Sequence, residues 1–184
     1  LREARWDPHG ENVREFAVEG MPNRSKLGYC DYVLWGDNGL PLAVIEAKST
    51  VHDPDKGKQQ AKLYADQLEK KYGRRPLIFY TNGYEVWFWD DWHYPPRRVS
   101  SFFRKDELEW IIQQRSTRKP LRNLNPRATI AGRVYQIEAI RRVAEALEEG
   151  RRHALLVMAT GTGKTRTAIA LVELLKRAGW VRNV

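Results

Sequence analysis

Short apolar runs separated by turn residues fill the first half of the chain. Tyr29-Cys30-Asp31-Tyr32-Val33-Leu34-Trp35 and Leu42-Ala43-Val44-Ile45-Glu46-Ala47-Lys48 each have strand length, and Gly36-Asp37-Asn38-Gly39 between them predicts an antiparallel hairpin. From Lys56 to Tyr72 the period changes: Ala61, Tyr64, Ala65, Leu68 and Tyr72 recur at helical spacing as one apolar stripe, with Gln60 on its edge and charged residues elsewhere. Pro76 to Thr81 and Tyr84 to Asp90 again read as strands, and Asn82-Gly83 joins them as a second hairpin. Asp106 to Gln114 predicts a short amphipathic helix carrying Leu108, Trp110, Ile111 and Ile112. Residues 115–129 are polar and basic, with Pro120 and Pro126, and read as a linker. Beyond it, Tyr135 to Glu149 predicts a helix with Ile137, Ile140, Val143, Ala144 and Leu147 inward, stopped by Gly150. The apolar run from Leu155 to Ala159 then gives way to small residues and to a helix over Lys164 to Ala178, with Ala168, Ile169, Leu171, Val172 and Leu175 inward: strand, loop, helix. The domains expected are therefore 1–114, a linker over 115–129, and 130–184.

Composition narrows the class. With 184 residues, 42% of them apolar and seven tryptophans, the chain can bury a core. Its net charge of +9 favours an anionic partner such as nucleic acid, although a basic surface also serves solubility. The excess is uneven. Residues 121–184 hold twelve Lys/Arg against five Asp/Glu, whereas residues 1–120 are nearly balanced. The single cysteine, Cys30, excludes an internal disulfide and reads as a small core residue. No apolar stretch approaches the roughly 20 residues of a membrane helix, so the expected setting is cytoplasmic. His9, His52, His93 and His153 lack ligand spacing and give no zinc site.

Two groups of residues carry chemistry. In Thr160-Gly161-Thr162-Gly163-Lys164-Thr165 the glycines let backbone amides close on phosphate oxygens, Lys164 supplies a cation, the Thr165 hydroxyl suits a magnesium ion, and the following helix adds its N-terminal dipole. The full phosphate-loop pattern has glycine where this chain has Met158. Upstream, the amide of Gln136 can both donate to and accept from adenine, which suits it to choose ATP.

The second group lies in the hairpin. Strand alternation sets Glu46 and Lys48 on one face, and a neighbouring strand can bring Asp31 beside them. Two carboxylates and the Ala47 carbonyl make a hard-oxygen set suited to Mg²⁺, with Lys48 facing a metal-bound water or a phosphate. Such a group cleaves phosphodiesters. The spacing is equally met by an ion pair between Glu46 and Lys48 at a strand end.

Asp31 followed by Glu46-Ala47-Lys48 resembles the PD-(D/E)xK nuclease motif, with Cys30 in the place of its proline, and Gln60-x-x-x-Tyr64 resembles the accessory Q-x-x-x-Y motif. The resemblance assigns Asp31, Glu46, Lys48, Gln60 and Tyr64 to the site, and it expects a further acid before the first strand, for which Glu11 and Glu15 are candidates. Tyr135-Gln136 ahead of Ala-Thr-Gly-Thr-Gly-Lys-Thr resembles the adenine-reading motif of superfamily 2 helicase-like ATPases. Taken in order, these features resemble the restriction (R, or HsdR) subunit of type I restriction-modification enzymes. That family implies an α/β fold: a PD-(D/E)xK nuclease with a mixed central sheet flanked by helices, followed by the beginning of a RecA-like P-loop motor. It implies Mg²⁺ and ATP as cofactors, and as partners double-stranded DNA and the methyltransferase and specificity subunits. DNA would be cut at nonspecific sites after translocation. The chain ends nineteen residues after Thr165, before a second acidic segment, so negligible ATP turnover is expected of it alone. The alternative is a superfamily 2 motor whose nuclease-like domain has become an inactive DNA-binding or docking module.

Overall fold

The computed structural model describes residues 1–10, 13–48, 54–92 and 94–181, with the backbone alone at 54–56. Glu11, His52 and His93, named above, lie outside the described residues. The chain divides into two units, Leu1–Ile112 and Gln113–Val184.

The first unit is built on one six-stranded sheet whose spatial order follows the sequence: β1 (Arg14–Glu19), β2 (Leu27–Trp35), β3 (Pro41–Ala47), β4 (Leu77–Thr81), β5 (Val86–Trp89) and β6 (Arg97–Val99). All neighbours are antiparallel except β3 and β4, which run parallel with Glu46 opposite Tyr80 and Ala47 opposite Thr81. A parallel pair needs a crossover, and α1 (Pro54–Tyr72) supplies it. Its predicted stripe packs on the sheet: Ala61, Tyr64, Ala65 and Leu68 are buried with Val33, Val44, Ile78 and Tyr80. A second cluster of Leu34, Leu42, Ala43, Ile45, Leu77, Phe79 and Phe88 takes in Leu108 of α2 (Lys105–Thr117). Because Val44 and Ile78 belong to one cluster while Ala43, Ile45, Leu77 and Phe79 belong to the other, β3 and β4 are buried on both faces. That double burial explains their near-continuous apolar runs.

Both predicted hairpins form, between β2 and β3 and between β4 and β5. Two strands had no signal. β1 reads Arg-Glu-Phe-Ala-Val-Glu, is largely exposed and carries a positive φ of 49° at Glu15, and β6 is three residues long.

The second unit is helical among the described residues, with α3 (Val134–Glu148) and α4 (Lys164–Arg177). Its core joins Ile140 and Ala144 of α3 to Ala170, Leu174 and Ala178, together with Leu121 and Ala131. Three expectations are corrected here. The stretch over 115–129 is no free tether: Leu121 is buried in a 3-10 turn whose backbone N–H donates to Glu148 Oε1 at 2.5 Å. The run before the phosphate loop forms no strand, because strands are held by ladder partners and all six strands described lie in the first unit; Leu155 and Val157 are exposed. The inward face of α4 is rotated. Thr167, Ala170 and Leu174 are buried, while Ile169, expected inside, is 53% exposed.

Candidate functional site

The C-terminal end of β3 collects the first group of predicted residues. Glu46 is the last buried position of that strand, at 2% exposure, and Lys48 follows one residue beyond it. Their shared face is realised: Lys48 Nζ donates to Glu46 Oε1 at 2.5 Å. Asp31 comes from β2, and its Oδ2 accepts the Ala47 backbone N–H at 2.6 Å. Lys48 is in turn fixed to β4, its own N–H bonding to the Thr81 carbonyl at 2.8 Å. Four residues, Asp31, Glu46, Ala47 and Lys48, thus converge from adjacent strands.

Electrostatics mark Glu46. Burial pushes its carboxyl up to about 7; the hydrogen bond from Lys48 opposes the rise and the negative charge of Asp31 adds to it. On Lys48, burial works against the charge, but the bond to Glu46 together with the negative charges of Glu46 and Asp31 outweighs it and holds the ammonium above its ordinary value. The second carboxylate oxygen, Oε2, is buried and accepts no hydrogen bond among the described residues. A buried carboxylate oxygen without a donor is costly unless a cation neutralises it, so the donor set suits a divalent ion. Among the described residues no three His, Cys, Asp or Glu side chains group to hold a metal. Mg²⁺ does not require that, since it keeps several waters and takes one or two carboxylates.

Helix α1 lies directly against this group. Gln60 Nε2 donates to Tyr64 Oη at 2.8 Å, and Tyr64 Oη donates to the Tyr29 carbonyl at 2.8 Å, two residues before Asp31. Burial raises the Tyr64 pKa despite the bond from Gln60, so the phenol stays a donor. The Q-x-x-x-Y pair therefore fastens α1 to the strand that carries Asp31. Residue identity alone missed Gly57. A Cβ there would stand 3.3 Å from Lys48 Cγ and 4.0 Å from Glu46 Cγ, so the helix crosses the acid and amine where only hydrogen fits comfortably. The available signal was a glycine inside a helix, three residues before Gln60 on the same stripe. Cys30 is buried as expected, donating weakly to the carbonyls of Tyr32 and Ile45. Glu15 is not brought in as a further acid; it sits exposed on β1, 3.8 Å from Arg14.

The second group forms in the helical unit. Gly161 and Gly163 adopt φ of 78° and 86°, and Gly163 is the N-cap of α4. Thr160, Lys164 and Thr165 are exposed, and Thr162 Oγ1 donates to the Ala159 carbonyl at 2.6 Å. Lys164 Nζ rests 3.4 Å from the Met158 and Ala159 carbonyls of the loop. Gln136 is not an exposed side chain at a helix start. It is buried, its Nε2 donates to the Thr162 carbonyl at 2.9 Å, and its Oε1 accepts the Arg133 N–H at 3.3 Å as part of a capping box. Tyr135 Oη donates to the same Thr162 carbonyl at 2.9 Å. Gly163 has a second reason to be glycine, because a Cβ there would lie 2.5 Å from Gln136 Nε2.

Among the described residues, no helix is long and apolar enough to cross a membrane. Comparison with known proteins gives a consistent result. Residues 11–97 match the family model described as type I restriction enzyme R protein N terminus, and residues 129–184 match that of type III restriction enzyme, res subunit. The chain is 34% identical to the EcoAI type I restriction enzyme endonuclease subunit of Escherichia coli, over 81% of this chain and 19% of that protein. It is 28% identical to the EcoKI endonuclease subunit of Escherichia coli strain K12, over 83% of this chain and 17% of that protein. A solved fragment of a putative HsdR subunit of a type I restriction enzyme from Vibrio vulnificus YJ016 is similar at 27% identity and a TM-score of 0.48, covering 99% of this chain and 36% of that one. The chain spans about a fifth of the length of the curated relatives. On the family-model match and the 34% identity, the chain belongs to the type I restriction enzyme R-protein family.

Proposed function

We propose that Asp31, Glu46 and Lys48, with the Ala47 carbonyl, form a Mg²⁺-dependent site that hydrolyses DNA phosphodiesters within the endonuclease subunit of a type I restriction enzyme. The observation that carries this reading is Glu46: buried, with one oxygen held by Lys48 and the other accepting no hydrogen bond of ordinary geometry among the described residues. Asp31 and Glu46 would hold the ion, which supplies a water of lowered pKa and screens the phosphate charge. The chain's own groups do the rest. Asp31 is oriented by the Ala47 N–H, and Lys48 is anchored on Glu46 Oε1. Its ammonium has further N–H donors, which would serve the attacking water or a phosphate oxygen as charge develops there. Gln60 and Tyr64 hold the strand bearing Asp31.

In the same reading residues 159–165 bind the phosphates of ATP. Lys164 would exchange the loop carbonyls for phosphate oxygens, Thr165 would face the magnesium ion, and Gln136, named above for adenine, braces the loop through the Thr162 carbonyl. In the whole protein this second unit begins an ATP-driven translocase that works with methyltransferase and specificity subunits on double-stranded DNA and cuts at nonspecific sites.

The test is plasmid cleavage by the full-length protein with its partner subunits. Cutting requires Mg²⁺ and falls by about 100-fold or more in Glu46→Ala and in Lys48→Ala, the size expected when a group stabilising transition-state charge is removed. Variants that cut as well as the unsubstituted protein would falsify the assignment. DNA binding without any cutting would instead favour a nuclease-like docking module.

A further inference from the structure

At the same end of the sheet the turn between β4 and β5 carries an aromatic ring that the fold does not use. Tyr84 is 85% exposed, yet the turn beneath it is tightly built. Asn82 Oδ1 accepts the N–H groups of Tyr84 and Glu85 at 3.1 and 2.8 Å. Thr81 Oγ1 donates to the Glu85 carbonyl at 2.7 Å and accepts the Gly83 N–H at 3.0 Å. Such a turn fixes the backbone from which the ring projects, so a ligand meeting the ring would order only a side chain and not a loop.

The position of the turn gives the ring a use. Thr81 pairs with Ala47 across β3 and β4, and its carbonyl accepts the Lys48 N–H. Tyr84 is three residues further on. Three residues span at most about 11 Å from Thr81, and Lys48 lies one strand spacing of about 5 Å from Thr81, so the Tyr84 backbone stands within roughly 16 Å of Lys48, a reach of two to three nucleotides. Charge is compatible with a polyanion there: the neighbouring carboxylate of Glu85 is paired with Arg98 at 2.9 Å.

We propose that Tyr84 is a stacking contact for a nucleobase that leaves the duplex stack in the DNA strand presented to Glu46 and Lys48. Stacking on an aromatic ring is indifferent to base identity, because every base has a π-face. It positions a strand for cutting without reading its sequence. The inference rests on the nuclease reading, and its test separates the two.

Full-length protein is mixed with DNA carrying 5-iododeoxyuridine in the absence of divalent metal, irradiated, and the attached peptides are mapped by mass spectrometry. In parallel, cleavage is measured against DNA concentration for Tyr84→Ala and Tyr84→Phe. A crosslink at Tyr84 is expected, with the half-saturating DNA concentration raised about tenfold in Tyr84→Ala, restored in Tyr84→Phe, and the maximal rate nearly unchanged. No crosslink at Tyr84, or an alanine variant that saturates like the unsubstituted protein, overturns the proposal. A phenylalanine variant as impaired as alanine overturns it too, since the hydroxyl and not the ring would then make the contact. Failure of the unsubstituted protein to cut counts against the nuclease reading, while the crosslink still decides the role of Tyr84.

Discussion

Glu46 shows what dehydration does to one side chain. Its carboxyl, held near 7 by burial, is half protonated at neutral pH, although a solvated glutamate is ionised from about 4.5 upward. Between those values the folded chain binds more protons than the unfolded chain, so stability falls as pH rises through the window. In the presence of a chelator, denaturant midpoints should therefore decline from pH 5 to pH 8, and Glu46→Gln should flatten that slope; an unchanged slope would contradict the burial argument. Gly57 and Gly163 act by the absence of a side chain. Gly57→Val brings methyl groups against Lys48 Cγ and is expected to lower cleavage by about tenfold or more while the thermal midpoint moves by only a few degrees. Gly163→Ala combines a positive φ with a collision at Gln136, and should weaken binding of a fluorescent ATP analogue by at least roughly tenfold in a titration. Retained affinity would count against nucleotide binding by this loop.

At the scale of elements, α1 is fastened at two points. Midway along it Tyr64, held by Gln60, donates to the Tyr29 carbonyl, and near its end Asp66 and Glu69 pair with Arg75, whose guanidinium also grips Asp91. Arg75 is 7% exposed, and although burial alone would lower its pKa, the acids around it raise it. Removing the cation strands acids that are themselves partly buried, so Arg75→Ala should cost about 3 to 5 kcal/mol in equilibrium denaturation. A loss below about 1 kcal/mol would show the network to be solvated. The elements legible in the residues were those with a strong internal period or turn: the α1 stripe, both hairpins and the paired glycines ahead of α4. β1 was not legible, because its charged residues stand exposed and only pairing with β2 makes it a strand. The run at Leu155 to Ala159 failed in the opposite sense: its composition suits a strand, but a strand exists only with a neighbour to bond to. The face of α4 was misread because apolar residues surround more than half of the helix, and its packing neighbours choose which of them are buried.

On the scale of the whole molecule, two separate cores predict separable stability. Leu68 is buried in the sheet unit and Leu174 in the helical unit. Leu68→Ala and Leu174→Ala should each cost about 2 to 5 kcal/mol, and each should shift a different transition in calorimetry. A single transition displaced equally by both would mean that the units unfold as one.

The sequence by itself determined the faces and the breaks. An alternating strand puts Glu46 and Lys48 side by side, a 3.6-residue period puts Gln60 and Tyr64 on one side of a helix, and glycine permits the backbone angles ahead of α4. Spacing along a chain settles such matters because they arise within one element. Only the tertiary structure decided that Glu46 is dehydrated, that Asp31 reaches the Ala47 amide from a neighbouring strand, and that Gln136 is committed to the Thr162 carbonyl. Those features depend on which distant segments exclude water from one another and at what distance their backbones stop. That balance of packing is made by the whole fold and carried by no single stretch of residues.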